Sequence, residues 1–168
     1  VWITRKFIER FLLIRIDKLI SYLSTDLLTD SISQKNILIK ADITNIDKIK
    51  VLGHGSISGV DTNMFKPNKT LGIEVRNKLG ISLKTKLILF LGRLNKDKGI
   101  IDLLNSFKIL KKQKRDIALL IVGPDESNID RYIRNYLSEY IDSIYLVGFT
   151  SSPHRFMAAA DIFCLPSY

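Results

Sequence analysis

The chain has 168 residues, 46% of them hydrophobic and 26% charged, enough to bury a core and unlike a disordered or low-complexity chain. One cysteine argues against a disulfide scaffold and a cysteine-rich metal site, and no apolar run reaches the roughly 18 residues of a membrane-crossing helix. The 26 Lys and Arg outnumber the 17 Asp and Glu, and a net charge of +9 suits nucleic acid, an anionic membrane or a phosphorylated ligand.

In chain order, residues 4–16 place Phe7, Ile8, Phe11, Leu12 and Ile14 at mixed helical spacing opposite Arg5, Lys6, Glu9 and Arg10, which predicts an amphipathic helix. Leu19–Leu23 is a short strand candidate. Thr25 or Asp26 is the expected cap of a helix over 27–35. Lys48–Leu52 is the next strand candidate, followed by a Gly- and Ser-rich loop over 53–63 and a linker at Pro67-Asn68. Beyond residue 68 the pattern becomes regular. Apolar strands are predicted at Lys86–Leu91, Ile117–Val122, Ser143–Val147 and Asp161–Leu165, and helices at Gly99–Lys112, Ile129–Tyr140 and Pro153–Ala160. Cys164 falls in the last apolar run and is expected to be a small core residue. The basic cluster Lys108, Lys111, Lys112, Lys114 and Arg115 reads as a solvated helix end facing the C-terminal dipole.

Strands that are apolar throughout are buried on both faces. Alternating with helices, they predict an α/β fold: a Rossmann-like parallel sheet with flanking helices. Ligands of such sheets sit beyond the carboxyl ends of the strands. The loop 92–99, Gly-Arg-Leu-Asn-Lys-Asp-Lys-Gly, joins a strand end to a helix start. A helix start offers unpaired N–H groups, Arg93 a planar fork for a phosphate, and Lys98 a point charge. Gly92 permits close backbone approach and Gly99 a tight entry into the helix. The residues suit a diphosphate; an ordinary solvated loop is the alternative. The loop 53–65, with three glycines and two serines around Ser56, lacks both the dinucleotide fingerprint and the P-loop ending. Gly148, Phe149 and Thr150 close the third strand of the regular region and could present backbone groups to the edge of a base.

Together, Gly55 to Phe65, Gly92 to Gly99, Val122-Gly123-Pro124-Asp125, Val147 to Thr150 and Ala160 to Ser167 resemble, in order and spacing, the retaining family 4 (group 1) glycosyltransferases of GT-B fold. The resemblance covers about residues 18–168. It implies a truncated GT-B arrangement. Residues 1–66 would be the end of an N-terminal Rossmann domain with the interdomain loop, and 67–168 an incomplete donor-binding domain. It implies transfer of a sugar from a nucleoside-diphosphate sugar donor to a hydroxyl acceptor with retention, in bacterial surface polysaccharide or glycan synthesis. Arg93 and Lys98 would clamp the diphosphate beside Gly92. Gly148, Phe149 and Thr150 would line the base pocket, and Ser56 would lie near the interdomain cleft. His54 stands where serine is frequent and is given no catalytic role. No catalytic residue is assigned, because the acidic pair Glu-x7-Glu would follow Tyr168, so the 168 residues alone are expected to be inactive. No cofactor and no metal are expected. The expected partners are the donor and a glycan or lipid-linked acceptor, with no nucleic acid. The expected location is cytoplasmic, with an optional peripheral contact at the inner membrane face through residues 4–16, although interdomain core is the preferred use of that segment. The rival reading is a non-catalytic nucleotide-binding α/β module.

Overall fold

The computed structural model describes residues 7–56, 58–113 and 115–168; the expectations for residues 4–6, Ile57 and Lys114 lie outside it. The chain forms two compact units, divided between Val60 and Asp61.

In the first unit, helix α1 runs Phe7–Leu23, strand β1 Leu27–Thr29, helix α2 Ile32–Lys40 and strand β2 Ile49–Val51. The strands pair in parallel, Leu27 opposite Ile49 and Thr29 opposite Val51. Two sequence expectations fail here. Leu19–Leu23 is not a strand but the last turns of α1. Its apolar residues continue the helical spacing, and Lys48 caps the helix by donating from Nζ to the Ser21 and Tyr22 carbonyls. Residues 27–29 are strand rather than helix, and the cap is Ser31, whose hydroxyl accepts the Gln34 N–H at 3.2 Å. The three residues of β1 are too few to show alternation. Many of the large apolar side chains of α1 are exposed, Phe7, Ile8, Tyr22 and Leu23 above 70%.

The second unit contains helix α3 (Lys69–Leu79), strand β3 (Lys86–Leu91), helix α4 (Ile100–Lys112), strand β4 (Ile117–Val122), helix α5 (Ile129–Tyr136), strand β5 (Ile144–Gly148), helix α6 (Pro153–Ala159) and strand β6 (Ile162–Phe163). Helix α5 stops short of Tyr140 because a tighter 3-10 turn takes Ser138–Ser143. Pro67-Asn68 is not a plain linker: Asn68 caps α3 by accepting the Leu71 N–H at 3.1 Å.

All four strands are parallel, in the order β5-β4-β3-β6. Alternate side chains build two cores. Ile88, Phe90, Leu119 and Ile121 face α4 and α5, with Ile100, Leu104, Phe107, Ile129 and Ile133 packed on them. Leu87, Leu89, Leu120 and Val122 face the other way, against Val75 of α3 and Ala159 of α6. Leu87, Leu89, Phe90, Leu119, Leu120 and Ile121 are fully buried, each stabilising the fold by about 1.5–3 kcal/mol relative to exposure. Cys164 is half-buried against the α4–α5 core. The lysines at the end of α4 are partly structural: Lys108 donates to the Tyr136 carbonyl at 2.9 Å and Lys111 to the Ile117 carbonyl at 3.4 Å.

An ion pair between buried Arg76 and the more exposed Asp161 ties helices to sheet at the amino end of β3. Arg76, only 7% exposed, donates to the Ala159, Ser82 and Thr85 carbonyls at 2.9, 3.0 and 2.9 Å and to Asp161 Oδ2 at 2.7 Å. Asp161 also accepts the Leu87 N–H at 2.8 Å and pairs with Lys86 at 3.2 Å. Burial pushes the Asp161 carboxyl up, but these hydrogen bonds and the Arg76 charge outweigh it and hold it below the usual carboxylate range.

Candidate functional site

In chain order the strands of the second unit lie 3-2-1-4, so the chain reverses direction across the sheet between β3 and β6. The crevice beyond the carboxyl ends of these two strands is the topological switch point, where open α/β sheets bind ligands. Two segments emerge there: residues 92–99 after β3 and residues 164–168 after β6.

The first segment is anchored rather than loose. Leu94 is buried, its N–H donates to the Pro124 carbonyl at 2.9 Å, and it forms a parallel bridge with Asp125. That anchor forces its neighbours Arg93 and Asn95 off the core. Asn95 then starts a 3-10 turn over Lys96–Lys98, its Oδ1 accepting the Lys98 N–H at 3.1 Å. Gly99 follows at φ +68, a left-handed conformation that L side chains rarely adopt, and α4 begins at Ile100. A Cβ on Gly99 would also collide with the Pro166 carbonyl, so the two segments touch here because position 99 has no side chain. Tyr168 adds two contacts: its N–H donates to the Asp97 carbonyl at 3.1 Å and its hydroxyl to Asp102 Oδ2 at 2.7 Å.

The cations of the loop differ in their surroundings. Arg93 is exposed and its Nη1 lies 3.6 Å from Glu126 Oε2. Lys98 is half-buried and its ammonium has no carboxylate partner among the described residues. The Glu126 carboxylate also accepts from Asn95 Nδ2 at 2.8 Å. The next loop, 123–128, packs directly on the first: Gly123 lies so close to the Gly92 carbonyl that a Cβ there would overlap it. Asp125 caps α5 from outside the helix, accepting the Ser127, Ile129 and Asp130 N–H groups at 3.1, 2.9 and 3.1 Å. Burial pushes its carboxyl up, but those N–H donors prevail and its pKa is lowered.

Gly92, Arg93 and Lys98 lie on the loop that follows β3 at the switch point. Gly148, Phe149 and Thr150 lie at the end of β5, two strands from β3. The Gly148 carbonyl accepts the Gly123 N–H at 2.7 Å and continues the ladder. Phe149 is 79% exposed, and the Thr150 hydroxyl accepts the Ser152 N–H at 3.0 Å. Ser56 belongs to the first unit, with φ +70. Its N–H donates to the Asp30 carbonyl and its hydroxyl to the Ser58 carbonyl, both at 2.6 Å, so its donors are used within its own unit. His54 is exposed. Asn95, Asp125 and Glu126 were not singled out as site residues from the sequence. Asn95 carried a signal, an Asn at the start of a turn; Glu126 carried none, because its partners lie 31 residues away or more.

A model of glycosyl transferases group 1 matches residues 73–168, more than half of the chain. The chain belongs to that family. As a group 1 glycosyltransferase it shares 29% identity over 168 residues with the capsular polysaccharide biosynthesis glycosyltransferase CapM of Staphylococcus aureus, covering 98% of this chain and 43% of that protein. It is 30% identical over 134 residues to a glycogen synthase of Cellvibrio japonicus, covering 67% of this chain and 27% of that protein. Among solved structures it superposes on Anabaena HepE in complex with UDP-glucose with a TM-score of 0.73 at 19% identity, over 92% of this chain and 42% of that one. The chain thus spans less than half the length of these relatives, and its fold is that of the GT-B glycosyltransferases. Among the described residues, no helix is long and apolar enough to cross a membrane.

Proposed function

We propose that this glycosyltransferase holds the diphosphate of a nucleoside-diphosphate sugar at the switch point between β3 and β6, with Arg93 and Lys98 as the cations and the start of α4 as a source of N–H donors. The observation that carries the reading is the placement of Lys98. It is half-buried, lies in the Asn95-capped turn of the loop after β3, and is without a carboxylate partner among the described residues. A cation so placed stabilises negative charge that builds on the departing nucleoside diphosphate as the glycosidic bond breaks. Arg93 contributes a second charge once a phosphate competes with Glu126 for its guanidinium.

The acceptor is a hydroxyl of a glycan or a lipid-linked glycan, the configuration is retained, and the transferred group is a hexose. The capsular polysaccharide enzyme among the relatives supports this reading, and HepE, crystallised with UDP-glucose, supports a sugar nucleotide as donor. Gly148, Phe149 and Thr150 serve the base through backbone groups and the exposed Phe149 ring. Residues 1–66, Ser56 included, belong to an N-terminal Rossmann domain and its interdomain loop, and residues 67–168 to the donor domain. The protein works in the cytoplasm, and the exposed apolar side chains of α1 supply a surface for contact with the inner face of the membrane or with the rest of the protein. Titrating the protein with UDP-, GDP- and ADP-sugars tests the reading. One of the three should bind in the micromolar range and lose affinity in both Arg93→Ala and Lys98→Ala, whereas unchanged affinity in both variants rejects the clamp.

A further inference from the structure

One carboxylate oxygen stands between the two cation-bearing parts of the loop after β3. Glu126 Oε2 accepts from Asn95 Nδ2 at 2.8 Å and lies 3.6 Å from Arg93 Nη1. Through its backbone, Glu126 also donates to the Leu94 carbonyl at 3.3 Å, so it meets three successive residues of the loop. The Asn95 amide has a donor end and an acceptor end, and a carboxylate can only accept. Glu126 therefore dictates which way the amide faces: its NH2 toward the carboxylate, its Oδ1 toward the Lys98 N–H at 3.1 Å. Without that anion the amide is free to turn over, and a turned amide presents NH2 to an N–H and uncaps the turn.

We propose that Glu126 is a positioning residue for the diphosphate loop, acting through Asn95 to fix the Lys96–Lys98 turn and with it the place of Lys98. This rests on the reading of Lys98 as a diphosphate cation. A carboxylate beside an anion site opposes the anion by Coulomb repulsion. If Glu126 acted by charge alone, removing it would tighten binding; as a positioning group, its loss weakens binding despite the lost repulsion. The two roles thus differ in sign.

The test uses UDP as probe and three variants. Glu126→Ala is expected to raise the Kd for UDP roughly threefold to tenfold, the size of one lost hydrogen-bonded support. Glu126→Gln keeps an acceptor oxygen for Asn95 and is expected to stay within about twofold of the parent. Asn95→Ala should match Glu126→Ala, and the double variant should be no worse than either single one. Hydrogen exchange at the Lys98 amide, followed by NMR without ligand, should accelerate in Glu126→Ala and not in Glu126→Gln. Tighter or unchanged UDP binding in Glu126→Ala overturns the proposal, as does an unchanged Lys98 exchange rate. If Lys98→Ala leaves UDP affinity unchanged, the diphosphate reading falls. The exchange measurement then still decides whether Glu126 sets the turn.

Discussion

Replacing Arg76 by alanine should be the most damaging single change in the second unit outside the crevice. The guanidinium donates to three main-chain carbonyls and to Asp161, and its side chain is only 8% exposed. Its removal strands those acceptors around a small void. Breaking one side of a buried ion pair costs about 3–5 kcal/mol. Asp161 retains the Leu87 N–H and Lys86 as partners and is itself 30% exposed, which places the loss near the lower end, about 3 kcal/mol. For a domain of this size that lowers the unfolding midpoint by roughly 10–20 °C. Circular dichroism at 222 nm against temperature, backed by urea titration, measures the loss. Arg76→Met, which retains the apolar stem, should recover only a minor part. A loss below about 1 kcal/mol in Arg76→Ala would mean that water or a shifted lysine satisfies the stranded acceptors and that the bridge is not a structural lock.

The same bridge makes stability depend on pH. Asp161 is held below its ordinary carboxylate value, so its contribution is fully present above about pH 4 and disappears as pH falls through the lower folded value. Asp161→Asn should flatten the acid limb of a stability-versus-pH curve, and an unchanged limb would show that other carboxylates govern it. Asp125→Ala removes the acceptor for three N–H groups at the start of α5 and should cost about 1–2 kcal/mol by denaturant titration, with the loss shrinking in acid as the parent's own carboxylate protonates. Gly99→Ala puts a side chain at φ +68 and against the Pro166 carbonyl. It should destabilise the protein by about 1–3 kcal/mol and weaken UDP binding, and a variant as stable as the parent would show that the residue 164–168 segment does not rest there.

What could be read from the sequence follows from how far each signal reaches along the chain. Strands β3, β4 and β5 were legible because each is an unbroken apolar run between turn residues, and helix α4 because Ile100, Leu103, Leu104 and Phe107 mark one face. Helix α3 was not, because Gly72 and six polar residues leave only a weak apolar stripe and the preceding Pro67-Asn68 resembles a linker. At the end of α1 the run Leu-Ile-Ser-Tyr-Leu fits strand and helix alike, and length decided for helix. In the candidate site, Arg93 and Lys98 stood out as cations between a strand end and a helix start. Glu126 and Arg76 did not, because each acts on partners brought near only by the finished sheet, 31 and 85 residues away for Asn95 and Asp161.

The most direct test of the account compares UDP with uridine, measured by calorimetry on the parent protein and on Lys98→Ala. If Lys98 meets the diphosphate, the parent should bind UDP at least tenfold more tightly than uridine, about 1.4 kcal/mol, and in Lys98→Ala that gap should narrow while uridine affinity stays the same. A gap of equal size in both proteins would contradict the central claim.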